Sequence, residues 1–264
     1  NKKVNEKIIL LSIIGSLDAI KEEAVSIDEI EKFLFSPHIY HKLKQKGYSG
    51  DILQIIEEGC ELEDIFSLWI LHSNIAKNIE QATVWYMFFN RFNVDSFNKT
   101  DLQKKMQQEL FNYVGQQVTE SSLKDDIDVL LNMYSKGDNK NEDPEDKIIS
   151  PFSTLGIIKK EDETYYKIQP DLRKIANELV LYEISNLLAH NKSISIETIA
   201  SGERSLGAIY NMTMVTVNKY LDNLEAMGYI RVDRTAGLDM VYPENIKSPI
   251  EIIRDYYRKY NINI

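Results

Sequence analysis

One cysteine, Cys60, stands in a chain of 264 residues. No disulfide can form within it, and a reducing cytoplasm is the expected compartment. No apolar run approaches the roughly 18–20 residues that a membrane-spanning helix requires. Residues 8–14 are apolar, but the run is short and acidic residues follow it, so a core helix is expected there rather than a signal peptide. Positive charge is in deficit. With 31 Lys+Arg against 41 Asp+Glu the net charge is −10, which argues against a protein that simply coats nucleic acid.

The usual catalytic signatures are absent as well. The sequence has no P-loop, no dinucleotide-binding glycine motif, no G-x-S-x-G elbow and no H-E-x-x-H. His38 and His41 are three apart and can share a helix face, but zinc needs two more ligands and Cys60 is the only thiol. His72 reads as a partly buried, hydrogen-bonded histidine, and His190 ends an expected helix, where a cation is welcome. Asp125, Asp126 and Asp128 sit on an expected helix, whose neighbouring carboxylates point in different directions. A solvated face therefore outweighs a magnesium site. No metal, no cofactor and no catalytic residue is assigned.

What is present is uneven. Residues 171–264 carry 11 Lys+Arg and 12 Asp+Glu, whereas residues 1–170 carry 20 and 29. A polyanion therefore has its only large candidate surface in the C-terminal part. Screening confines distant charges to about 10 Å at 0.1 M salt, so a local basic patch suffices. Residues 1–65 read as a small acidic helical module, with Ser26 and Glu29 forming a capping box. Residues 66–98 are the most apolar stretch. Leu68-Trp69-Ile70-Leu71 and Val84-Trp85-Tyr86-Met87-Phe88-Phe89 are apolar around most of a helical turn, the pattern of a buried helical hairpin. Residues 135–149 are polar and acidic and read as a surface insertion; their spacing does not fit an EF-hand.

An internal repeat carries the fold argument. Thr119-x-x-Ser122-Leu123-x-x-Asp126-Ile127-x-x-Leu130 matches Thr213-x-x-Thr216-Val217-x-x-Tyr220-Leu221-x-x-Leu224. In each copy a threonine can cap the helix, and apolar residues recur at spacings of four and three on one face. Each helix is later followed by glycine and two apolar residues, Gly156-Ile157-Ile158 and Gly228-Tyr229-Ile230, and then by a strand–turn–strand pattern. Helices are expected before both copies, at 102–114, 172–189 and 196–200. This order predicts a mainly α protein: a helical core with two winged-helix units, each a helix-turn-helix plus β-hairpin. The expected domains are 1–65, then 66–170 with the first unit and its acidic insertion at 135–149, then 171–264 with the second unit and a C-terminal helix.

The second copy has the chemistry for DNA. Thr213 caps its helix, and Thr216, Asn218, Lys219 and Asn223 read as outward groups able to bond phosphates and base edges. Arg231 and Arg234 flank the wing. The first copy presents Glu120, Lys124, Asp125 and Asp128, three of which repel phosphate. Winged helices also dock proteins, so a protein-binding surface stays open as the alternative. The terminal helix starts at Ser248, Pro249 and Glu251. Its mixture of Arg254, Tyr256, Tyr257, Arg258, Lys259 and Tyr260 suits either nucleic acid or a docked helix.

Four segments stand out: Glu63-Asp64-Ile65-x-x-Leu68-Trp69-Ile70-Leu71-His72, Thr83-Val84-Trp85-Tyr86-x-x-Phe89-Asn90, Glu120-Ser121-Ser122-Leu123-Lys124-Asp125-Asp126-Ile127-Asp128 and Ser150-Pro151-Phe152-x-x-Leu155-Gly156-Ile157-Ile158. Together they resemble the SspB-like family of bacterial DNA phosphorothioation and phage-defence systems. The resemblance covers about residues 63–264 and leaves 1–62 aside. It implies a DNA-acting role, with double-stranded DNA and the proteins of a modification or defence system as partners. A homodimer stays open, and no membrane is involved. The expected function is a DNA-binding component of such a system. A DNA nickase and an interaction scaffold are the alternatives.

Overall fold

The computed structural model describes residues 65–80, 82–115, 118–136, 150–189, 191–237 and 239–260. Residues 1–64 and 137–149 lie outside them, and with these the acidic N-terminal module, His38, His41, Cys60 and most of the acidic insertion; so does His190. Among the described residues the protein is mainly helical with two small sheets. It separates into two compact units between Pro170 and Asp171.

In the first unit, α1 (Ile65–Lys77) and α2 (Thr83–Asn90) form the apolar hairpin. Trp69 is fully buried, and every residue of α2 from Val84 to Asn90 is buried as well. Asn90 closes the hairpin by donating from Nδ2 to the carbonyls of Ala76 and Tyr86, at 2.8 and 2.9 Å. His72 is more enclosed than its sequence context suggests. It is wholly buried, edge-on to Trp69, Phe89 and Tyr134, and its Nδ1 is hydrogen-bonded to the Tyr134 hydroxyl at 2.8 Å. Burial pushes the Tyr134 phenol well above its ordinary pKa.

Tyr134 ends α4 (Glu120–Tyr134), whose Leu123, Ile127, Leu130 and Leu131 are buried. Before it runs α3 (Lys99–Val114), capped by the Asn98 side chain, which accepts from the Asp101 amide. A four-stranded sheet completes the unit, built from β1 (Ser96–Phe97), β2 (Ser135–Lys136), β3 (Ile158–Glu161) and β4 (Thr164–Lys167). Its order is β1-β4-β3-β2, with β2 parallel to β3 and the other pairs antiparallel. Ser135 and Lys136, expected to begin the acidic loop, belong to β2 instead. Two residues are too few to show a strand period in the sequence.

The second unit opens with a 3₁₀ turn (Leu172–Lys174) and α5 (Asn177–Leu188). The helix expected from 172 therefore starts five residues later, because Ile175 and Ala176 are extended. Next come β5 (Ile194–Ser195), α6 (Ile196–Ala200), α7 (Leu206–Tyr210), α8 (Met214–Ala226), β6 (Ile230–Asp233), β7 (Met240–Pro243) and α9 (Pro249–Lys259). The strands form an antiparallel sheet in the order β5-β7-β6. Ser248 and Glu251 form the expected capping box of α9. Tyr256 and Tyr257 are buried with Ile252 and Ile253, and Lys259 pairs with Glu178 of α5 at 2.7 Å. Tyr256 and Tyr257 thus serve docking of α9, whereas Tyr260, just past its end, stays exposed.

The repeat is visible in the topology. Each unit has a two-residue strand, then helices, then a β-hairpin, and the short strand pairs antiparallel with the hairpin's second strand. In the first unit the insertion falls between the last helix and the hairpin.

Trp85 is only 5% exposed, and its indole N–H has no hydrogen-bond partner among the described residues. Trp85→Ala is expected to cost about 3–5 kcal/mol in urea unfolding. Trp85→Phe should cost well under half of that, because it also removes an unsatisfied donor. Lys167, at the end of β4, donates to the carbonyls of Phe88 and Phe92 at 2.5 and 2.6 Å, with its Nζ 4.3 Å from the Phe88 ring centre. Burial pushes this ammonium down to about 7, against the pull of Asp95. An unfolded lysine titrates near 10.5, so between those values the unfolded chain binds more protons and stability rises with pH. Lys167→Met is expected to flatten that rise, by at most about 1.4 kcal/mol per pH unit. An unchanged slope in urea titrations from about pH 7 to 9.5 would mean that the carbonyls and rings keep the ammonium charged.

Candidate nucleic-acid interface

Helix α8 is held by its back. Val217, Leu221 and Leu224 are fully buried, and Tyr220 donates its hydroxyl to the carbonyl of Ile175 at 2.9 Å. Its start is capped by Thr213, whose Oγ1 accepts from the Thr216 amide at 3.2 Å. Its end is a Schellman closure. The Tyr229 amide bonds the Leu224 carbonyl at 3.1 Å and the Gly228 amide bonds the Glu225 carbonyl at 2.8 Å, with Gly228 at φ 76°. From the same end, Glu225 accepts the Val232 amide of β6 at 2.6 Å and ties the hairpin to the helix.

The expected site residues divide. Thr213, Lys219 and Asn223 are exposed and Asn218 is half-buried. Thr216 is a correction: it is buried, and its hydroxyl lies 3.0 Å from that of Thr213. Four residues before Tyr220, it shares the inward-leaning side of the helix. Its polarity is spent on the capping turn. Asn223 turns to α5 and donates to the Asn177 side chain at 3.3 Å.

The hairpin brings Arg231 and Arg234 to this surface. Arg231 stacks over its cross-strand partner Tyr242, with 4.3 Å from guanidinium to ring centre, and lies 3.7 Å from Asp233. Asp233 stays ionised, because the hydroxyl and amide of Thr235, and Arg231 beside it, hold its carboxyl below the usual range. Arg234 crosses to α8, where it pairs with Asp222 at 2.6 Å and donates to Asn218 Oδ1 at 3.2 Å. Asn218 in turn donates to the Met214 carbonyl at 3.0 Å. The face therefore carries Lys219, Arg231 and Arg234 against Asp222 and Asp233. Lys219 alone of these five has no ion pair among the described residues.

Sequence reasoning missed three participants. Met214 and Val215, in the first turn of α8, are 41% and 67% exposed, and Asp222 holds Arg234. The helical phase marks all three: Met214 precedes Asn218 by four, Val215 precedes Asn218 by three and Lys219 by four, and Asp222 follows Asn218 by four. The first copy offers a different face. Glu120, Lys124 and Asp125 are exposed on α4, and Asp128 is bound to Lys99 at 2.7 Å. Asp126, half-buried, has its carboxyl raised by burial and then by Asp125. Among the described residues no group of three or more His, Cys, Asp or Glu gathers to hold a metal ion, and no helix is long and apolar enough to cross a membrane.

The turn that delivers α8 depends on one glycine. A Cβ at Gly207 of α7 would lie 2.2 Å from the Ala200 carbonyl oxygen and 3.3 Å from that of Met212. Alanine gains up to about 1 kcal/mol over glycine in helix propensity, but a clash with backbone costs about 1–3 kcal/mol or more. Gly207→Ala is therefore expected to lower the melting temperature despite its better propensity, measured by circular dichroism. A rise would mean that α6 and α7 shift apart freely.

Residues 41–257 match the family described as protein of unknown function (DUF4007). Two solved structures, described as SspB and as magnesium ion-bound SspB, share the fold with a TM-score of 0.65 at 18% sequence identity. Each match covers 76% of this chain and 62% of the solved chain, so the protein spans under two thirds of their length. A search of curated proteins finds no match.

Proposed function

We propose that this chain, which belongs to the DUF4007 family, binds double-stranded DNA through its C-terminal unit as a component of a phosphorothioation or related phage-defence system. The single observation behind this reading is the outward face of α8. Thr213, Asn218 and Lys219 lie along it, and the hairpin adds Arg231 and Arg234 from the side. The helix-then-hairpin order of this unit reads as a winged helix, with α8 entering the major groove and Arg234, just past β6, reaching the backbone. The defence context comes from the motif resemblance, and the fold shared with the SspB structures is consistent with it.

The face is nearly balanced in charge, and that shapes the mechanism. Lys219 is free to meet a phosphate. Arg234 has first to exchange Asp222 for one, and the exchange reduces its net gain, since an exposed ion pair is worth under about 1 kcal/mol. A moderate affinity with a shallow salt dependence follows. On this reading the first unit is structural, because its α4 surface is acidic.

The test is affinity against salt concentration on random-sequence duplex. Lys219→Ala is expected to weaken binding on all sequences and to lower the salt slope by about one unit. Asp222→Asn is expected to tighten binding and to steepen the slope by about one unit, by releasing Arg234. Lys124→Ala, in the first unit, should change neither. Equal losses for Lys219→Ala and Lys124→Ala would move the interface elsewhere. No duplex binding at low salt, with a protein co-purifying, would favour the scaffold reading. Nicking of supercoiled plasmid in the same samples would bring in the enzyme reading.

A further inference from the structure

The first turn of α8 is unusual for a helix that faces water. Val215 is 67% exposed and Met214 41% exposed, so neither gains from burial. A β-branched residue also has reduced helix propensity. Nothing in the free chain accounts for valine at this point. Its position is the middle of the outward arc. Asn218 and Lys219 follow one turn later and Asp222 two turns later.

The surroundings favour a polyanion that carries apolar groups at its base edges. Lys219 is a free cation one turn away, and Arg234 neutralises Asp222. The polar groups are partly engaged already: Thr216 is buried, and the Asn218 amide is bonded at both ends, to the Met214 carbonyl and to Arg234. Among base edges in the major groove the thymine C5-methyl is the one apolar group. A protein partner fits this patch less well. Two apolar side chains ringed by Thr213, Asn218 and Lys219 fall far below the roughly 800 Å² per partner of a stable interface.

We infer that Val215, with Met214 beside it, reads thymine methyl groups in the major groove and is the specificity-determining residue of the DNA contact. The inference rests on the DNA-binding reading above. Valine is short, so the helix axis must lie deep in the groove for its methyls to reach the base edge. Lys219, longer and to one side, then meets the phosphates that flank that base.

The experiment uses the full chain and a random-sequence duplex pool. Bound duplexes are recovered at low salt, and affinities are measured for a recovered duplex and for copies in which single thymines are replaced by deoxyuridine, which lacks only the methyl. The recovered sequences are expected to share a thymine at one or two positions. Loss of the critical methyl should weaken binding about three- to fivefold, the worth of one buried methyl group. Val215→Ala should bind the thymine and uracil duplexes alike. Lys219→Ala should keep the thymine-to-uracil ratio while losing affinity on both. Because Val215 is exposed, its variant should melt with the wild-type protein, which separates lost reading from lost folding. Equal wild-type binding to both duplexes, or an unchanged ratio in Val215→Ala, overturns the inference. Recovered sequences that share no base overturn it too and leave the DNA reading standing, whereas no binding to any duplex removes both.

Discussion

Helix α8 has an outward face only because its other side is committed. Val217, Leu221 and Leu224 are fully buried, and Tyr220 is hydrogen-bonded to the segment before α5. Burying three such side chains is worth several kcal/mol by area, on the order of 1.5–3 each. That commitment fixes the rotation of the helix about its axis. Rotation decides the rest: it turns Thr216 inward, brings Val215 to the front and sets Asp222 where Arg234 can reach it. Gly207 supplies the matching constraint along the chain, since the approach of α7 to the Ala200 carbonyl leaves no room for a side chain.

The first unit shows the same topology put to another use. Its helix α4 buries Leu123, Ile127 and Leu130 at the matching positions, but its open side is acidic and tied to Lys99 through Asp128. The unit is instead organised around aromatic burial. His72, Phe89 and Tyr134 meet edge to face, and Lys167 closes the C-terminal end of α2 by donating to the carbonyls of Phe88, within the helix, and Phe92, just past it. This amine, which burial lowers to about 7, thereby joins the hairpin to the sheet.

Much of this was readable in the sequence wherever the governing interaction is local. Thr213, Ser248 and Gly228 mark helix ends because capping involves residues two to four apart. The apolar run over α2 announces burial, and the spacing of four and three gives the inward face of both repeat helices. Pairings between distant residues were not legible. The two-residue strands β1, β2 and β5 exist only because a hairpin strand lies beside them. The Arg234–Asp222 pair joins a loop to a helix twelve residues earlier. Thr216 was misread because a threonine looks polar in the sequence, while its hydroxyl is satisfied by the capping turn. Val215 carries no polar group to mark it, and only the helical phase, three before Asn218 and four before Lys219, places it on the outward face.

The bond between Glu225 and the Val232 amide has a consequence beyond holding the hairpin in place. Among the described residues strand β6 is one of the two outer strands of its sheet, and an outer strand offers unpaired amides on which another chain can extend the sheet. The Glu225 carboxylate occupies the Val232 amide and places negative charge along that border. The hairpin is thereby guarded at this edge against strand-to-strand self-association, while Arg231 stays exposed to solvent.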